Sequence, residues 1–319
     1  MAASPDSSPQ GAAAPQPDWV NVHARESTRT VASLRQAPPH DPRRWARVLL
    51  RNPNARIGLG FLGTLALIAL LAPVFFPGDP FAIVGAPHLW PGQNAAFPLG
   101  TDSYGRDVLT GLVYGTRVSL LVGLAAAALS LVLGIVIGAL AGYFGGWTDR
   151  SLTRLTEIFQ TMPSFVLLVV LVAITSTSIK IIIVAIALIT WPNIARLVRA
   201  EYRSQRQLEY VVAARSLGYG NLRIIFSDIL PNALPAVIVT ASTLVASAIL
   251  MEAALSFMGF GDPNAISWGT MIGAGREYLR SSWYLTAIPG LAIVLTVMAI
   301  NLVGDAINDA LNPRLREPR

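Results

Sequence analysis

Six apolar runs dominate the sequence, each of helix length and too long for a barrel strand: Ile57 to Phe76, Val118 to Gly142, Phe159 to Thr175, Ile179 to Val198, Leu234 to Phe257 and Tyr284 to Gly304. A helix rises about 1.5 Å per residue and needs about 20 residues to cross about 30 Å of hydrocarbon, where its backbone groups must satisfy one another. The runs therefore predict an all-α membrane protein with six transmembrane helices. Composition agrees: 53% hydrophobic and 13% charged residues, with mean hydropathy +0.53, leave too little polar surface to coat a soluble globule of 319 residues.

The tail before span one, the loops after spans two and four, and the C-terminal tail hold 19 of the 24 basic residues. The other side keeps Arg106, Arg117, Lys180, Arg276 and Arg280. The positive-inside bias then places both termini and the loop after span four in the cytoplasm. Because the arginines flank apolar spans instead of clustering on one folded face, the expected surroundings are membrane lipid and not nucleic acid. Residues 1–40 lack an apolar run and are rich in Ala, Pro, Ser and Gln, which reads as a disordered tail and not as a signal peptide. Arg43, Arg44, Arg47, Arg51 and Arg56 follow as a cytoplasmic anchor.

The organisation expected is a basic tail (1–50), a first helix with an external loop (51–117), a five-helix core (118–305) and a C-terminal tail (306–319). Within the core, a cytoplasmic loop occupies residues 200–233. Thr175 to Ser178 makes a tight hairpin between spans three and four. The external segments Pro77 to Arg117 and Met258 to Trp283 are dense in Gly, Pro and aromatic residues, and predict a folded rim where a partner can dock.

The cytoplasmic loop carries the most specific pattern. Glu209, Tyr210, Val211, Val212, Ala213, Ala214, Arg215, Ser216 and Leu217 lead to Gly218, and Ile229, Leu230, Pro231 and Asn232 follow. This predicts a short helix, a left-handed glycine stop at Gly218 and a second helix, with Pro231 turning the chain back into the bilayer. The alanine pair offers a shallow surface on which another protein's groove can close.

The pattern resembles the EAA loop of binding-protein-dependent ABC importer permeases, with Ala213, Ala214, Gly218, Leu230 and Pro231 at the family's spacings. Val212 stands where that family often has glutamate or alanine, and Asp228 where it often has isoleucine. Pro98-Leu99-Gly100-Thr101-Asp102 with Gly105-Arg106-Asp107, Leu255 to Gly261 with Ser267-Trp268-Gly269, and Asn301 to Asp305 with Leu311 to Leu315 resemble stretches of the C-type subunit of dipeptide, oligopeptide and nickel permeases. The matches run in order from about Pro98 to the end, leaving the first 50 or so residues outside them.

The resemblance implies a type I ABC importer permease fold in a bacterial inner membrane. It also implies a second, B-type permease subunit, two cytoplasmic ATPase subunits or one fused ATPase, and an external solute-binding protein. Glu209, Ala213, Ala214, Arg215, Gly218, Leu230 and Pro231 are then the residues expected to couple to the ATPases. Peptides are the first choice of cargo. ATP and Mg belong to the partner subunits: Lys180, the only lysine, is not preceded by the glycine pattern of a phosphate-binding loop. The chain is expected to hold no cofactor, metal or catalytic residue. It has no cysteine, and His23, His40 and His88 lie in the tail or the external loop, outside any metal-ligand spacing. His88 reads as a solvated loop residue.

Glu252 is an acidic residue well inside an apolar run. A charge at the helix centre costs about 2.5–3.5 kcal/mol, so the side chain is expected to face protein or water. It either lines or latches the external mouth of a pathway, or holds the rim through an interhelical hydrogen bond. Asp305 and Asp309 read as a helix end balanced by the arginines that follow. Pro163 and Pro192 read as kinks within spans three and four. The rival class, a motor-independent secondary transporter or channel, predicts two repeated halves and broken helices with ionisable groups near the midplane, a pattern not visible in this sequence.

Overall fold

The computed structural model describes residues 49–311; the expected disordered tail, its first anchor arginines and the arginines after Pro313 lie outside them. α1 (Pro53–Phe75) starts where the Asn52 side chain accepts the Asn54 amide, with a proline in the first turn, where no N–H is needed. α2 (Val108–Phe144) has 37 residues. At 1.5 Å per residue it is about 55 Å long and overhangs the hydrocarbon. It begins at Val108 and not Val118 because Asp107 caps it, accepting the Leu109 and Thr110 amides and the Thr110 hydroxyl.

The third expected span is not a single rod. α3 (Gly146–Gln160) and α4 (Ser164–Ile174) meet at 82°, and Pro163 caps α4 at the bend instead of kinking a helix from within. The 11 residues of α4 extend only about 16 Å, too short to cross alone. α3 is amphipathic and is fastened to the helix that follows α4 by Asp149, which receives Nε and, at 2.8 Å, Nη2 of Arg199.

α5 (Ile179–Gln205), capped by Ser178, carries Pro192 without ending and continues past Val198, so Arg199 and Arg203 are helical. α6 (Glu209–Ser216) follows. α7 (Asn221–Phe260) is a 40-residue helix, α-helical over Leu230–Leu255 and widened into π turns over Ile224–Ile229 and Ser256–Phe260. The chain therefore stays helical through Pro231, directly after the π turns, instead of breaking there. α8 (Trp268–Gly275) and α9 (Tyr284–Leu311) complete the fold. No strand forms among the described residues, only two isolated bridges.

α2 and α5 form the spine. Gly134, Gly138 and Gly142 recur every four residues on α2 and face α5. A Cβ would stand 2.5 Å from Ile194 Cβ at the first, 2.5 Å from the Ala195 carbonyl at the second and 2.6 Å from Tyr202 Cβ at the third. Only hydrogen fits there, so the two backbones approach closely and gain dispersion contacts that lipid cannot replace. α1 packs on α9, with Gly58 set against Ala299 and Val303, and leaves Leu67, Leu70, Val74 and Phe75 exposed as an apolar outer face.

At the end opposite the arginines, the two predicted external segments fold onto each other. The Tyr284 hydroxyl lies 2.8 Å from the Leu89 carbonyl and 2.9 Å from that of Thr101. Thr101, fully buried, donates to the Ala86 carbonyl at 2.6 Å and accepts the Leu89 amide. Trp268, also fully buried, donates its indole N–H to the Leu112 carbonyl at 3.2 Å. His88 is not the solvated residue expected: it is half-buried, with Nδ1 3.1 Å from Ser282 Oγ and its ring against Tyr278.

Candidate functional site

The loop between α5 and α7 folds as helix, stop and returning helix. Gly218 has φ 79°; its amide donates to the Arg215 carbonyl and that of Tyr219 to Ala214, the two bonds that close a helix through a left-handed residue. An added Cβ at Gly218 would meet nothing within 4 Å, so the requirement for glycine is one of backbone conformation alone. Glu209 is exposed in the first turn of α6, where an acidic side chain suits the positive helix end.

The alanine pair does not form one surface. Ala214 is 8% exposed and sits with fully buried Val211 among Tyr143 of α2, Ile194, Val198 and Tyr202 of α5, and Ile224, Ile225 and Ile229 of α7. Ala213 faces outward beside Val212 and Leu217, which are 50% and 72% exposed. One alanine thus anchors α6 to three long helices, and the other leaves room for something to close on it.

Polar ties run beside this apolar anchor. Tyr202 donates to the Ile225 carbonyl at 3.0 Å, Tyr143 to Asn221 Oδ1 at 2.8 Å and Tyr210 to Gln205 Oε1 at 2.9 Å. Arg215 is exposed, with its guanidinium 5.5 Å from the Tyr143 ring. Leu230 is partly buried against the same apolar cluster, and Pro231 is exposed. Asp228, at the position where isoleucine is common, keeps Oδ2 buried without a hydrogen-bond partner among the described residues.

Glu252 is 2% exposed and lines no open surface of this chain. Its Oε1 accepts from Ser256 at 2.7 Å and its Oε2 from Ser119 of α2 at 3.3 Å; Ser119 in turn accepts the Trp268 amide. The carboxyl therefore joins α7, α2 and the start of α8.

Tyr143, Tyr202, Asn221 and the glycine stripe of α2 were not singled out from the sequence. The stripe was readable, as Gly-x-x-x-Gly repeated once in an apolar run. The tyrosine ties were not, because they join residues that the sequence separates by 78 and 23 positions.

A bundle of long apolar helices with a short, core-anchored helix at its arginine-rich end defines a multi-pass membrane component. Residues 134–317 match the family described as binding-protein-dependent transport system inner membrane component, and residues 43–96 match the N-terminal TM domain of oligopeptide transport permease C. The chain belongs to the first of these families, and is the non-catalytic permease component of an ABC importer. The match also reaches further toward the N-terminus than the sequence motifs did, to residue 43.

Among its relatives, the di/tripeptide transport system permease protein DppC of Pseudomonas aeruginosa is 38% identical over 298 residues, covering 89% of this chain and 98% of that one. The dipeptide transport system permease protein DppC of Haemophilus influenzae is 38% identical over 84% of this chain and 92% of its own length. The glutathione transport system permease protein GsiD of Pectobacterium atrosepticum is 35% identical over 85% and 90%. In fold the chain is similar to an inward facing structure of the MetNI methionine ABC transporter, with TM-score 0.54 and 22% identity over 64% of this chain and 97% of that one.

Proposed function

We propose that this permease carries di- or oligopeptides across a bacterial inner membrane, forming the path with a B-type permease subunit that it lacks. Cytoplasmic ATPase subunits, which hold ATP and Mg, drive it, and an external solute-binding protein delivers cargo to the rim. The peptide assignment rests on the relatives' names.

The coupling reading rests on one observation. α6 shows an exposed apolar face (Val212, Ala213, Leu217) while its opposite face (Val211, Ala214) is embedded among α2, α5 and α7. A push on α6 is then passed to three spanning helices at once, since close-packed interiors transmit displacement. Glu209 and Arg215 flank the docking face, Gly218 sets its end, and Leu230 and Pro231, within α7, carry the thrust along that helix. Glu252 acts at the far end as a latch that keeps the rim joined to α2 and α7.

The test is peptide uptake and ATP hydrolysis by the reconstituted complex with Ala213→Tyr. Loss of both activities, with the permease still in the membrane and normally stable, is the expected result; full activity would overturn the reading.

A further inference from the structure

A cavity of about 480 Å³ opens beside α6, lined by Tyr143, Phe144, Arg206, Gln207, Arg215 and Asn221. Its charged lining is two arginines with no acidic residue. Arg206 Nη1 donates to the Gly142 and Tyr143 carbonyls at 3.3 and 3.2 Å, at the negative end of α2, leaving its other nitrogens without a hydrogen bond among the described residues. Gly145 makes room for this arrangement, since a Cβ there would stand 2.7 Å from Arg206 Nη1. Arg215 stacks on Tyr143 and has no ion pair among the described residues. Asn221 has its oxygen taken by the Tyr143 hydroxyl, so its free group is the amide donor.

The unused groups of these three residues are therefore donors, two of them cationic, which suits an anion and above all a phosphate. The wall above the cavity says what the anion is attached to. Val132, Val136 and Phe144 lie on one face of α2 at multiples of four residues, and are 59%, 43% and 48% exposed. This apolar stripe runs down a membrane-crossing helix and ends on a residue of the cavity itself.

We propose that the cavity is a binding site for the phosphate of an anionic phospholipid, with an acyl chain lying along Val132, Val136 and Phe144. Basic pockets between spanning helices at the cytoplasmic face hold anionic headgroups in this way. A free phosphate ion would leave the stripe unused, and an acidic side chain of a docked protein would not follow it up α2. The site stands independently of the coupling reading, although Arg215 belongs to both.

The test is native mass spectrometry of the whole transporter released from nanodiscs containing phosphatidylglycerol and phosphatidylcholine in equal parts. The expected result is selective retention of phosphatidylglycerol, reduced roughly fivefold by Arg206→Gln and by Arg215→Gln, and kept by Arg206→Lys. The Arg215 side chain, unlike that of Arg206, donates to no backbone carbonyl among the described residues, so Arg215→Gln decides the matter should Arg206→Gln fail to fold. Phe144→Ala is expected to lower retention with the charges intact. In phosphatidylcholine-only nanodiscs, inorganic phosphate is expected to give no thermal shift. Unreduced retention by both Gln variants, a Phe144→Ala protein that retains lipid fully, or a thermal shift with inorganic phosphate in the phosphatidylcholine-only nanodiscs would each overturn the proposal.

Discussion

At residue scale, the loop between α5 and α7 separates backbone requirements from packing requirements. Gly218→Val places a β-branched residue at φ 79° in open space. The strain is about 1–2 kcal/mol and falls on the end of α6 alone. We expect the permease to remain inserted while peptide-stimulated ATP hydrolysis is lost, as read in proteoliposomes; undiminished hydrolysis would show that the left-handed stop is dispensable. The two alanines should differ in kind. Ala213→Tyr points into open space, whereas Ala214→Tyr drives a ring into the cluster of Tyr143, Tyr202 and Ile225, costing about 1–3 kcal/mol or more. A thermal melt in detergent is expected to move only for Ala214→Tyr.

Glu252 makes a similar distinction. Glu252→Gln keeps an acceptor for Ser119 or Ser256 and is expected to retain uptake, whereas Glu252→Ala strands both hydroxyls at about 1–3 kcal/mol and loosens the rim. Uptake abolished by Gln in a stably assembled complex would instead make the carboxylate part of the pathway.

Among the elements, apolar runs located the helices but not their ends, because ends are set by polar capping and by turns that hydropathy does not register. Asp107 moves the start of α2, and α7 begins ten residues before Pro231 and runs through it as π and then α turns. The third span shows the opposite failure. Phe159 to Thr175 reads as one apolar rod, yet the chain folds it as the end of amphipathic α3 and the short α4, because Asp149 pulls α3 toward Arg199 on α5 and Pro163 breaks the turn. The small-residue stripe of Gly134, Gly138 and Gly142 was readable in the sequence, but not that α5 is the helix it faces. Gly138→Leu puts a branched side chain where a Cβ alone meets the Ala195 carbonyl at 2.5 Å. We expect separation of the two helices, with loss of folded permease as seen by size-exclusion chromatography. Gly60→Leu, with nothing within 4 Å of its Cβ, should be tolerated.

For the whole molecule, the distribution of arginines and the fold make the same division into two ends. The α5–α7 loop, the end of α5 and the end of α2 share the basic end, while the rim built from Leu89, Thr101, Trp268 and Tyr284 occupies the other. Charge bias sets orientation because loops rich in arginine resist translocation, so the docking helix and the rim must face opposite compartments if the coupling reading holds. The absence of cysteine makes this directly measurable. Leu217→Cys, on the exposed face of α6, and Ala95→Cys, exposed on the rim, each introduce a single thiol away from the packed core. A membrane-impermeant maleimide is expected to label Ala95→Cys in right-side-out vesicles and Leu217→Cys only in inverted ones. Added ATPase subunits should then protect Leu217→Cys and leave Ala95→Cys reactive, since only the docking face would be covered. Labelling of both positions from the same side would contradict the topology, and unprotected Leu217→Cys in an assembled, active complex would move the motor contact away from α6.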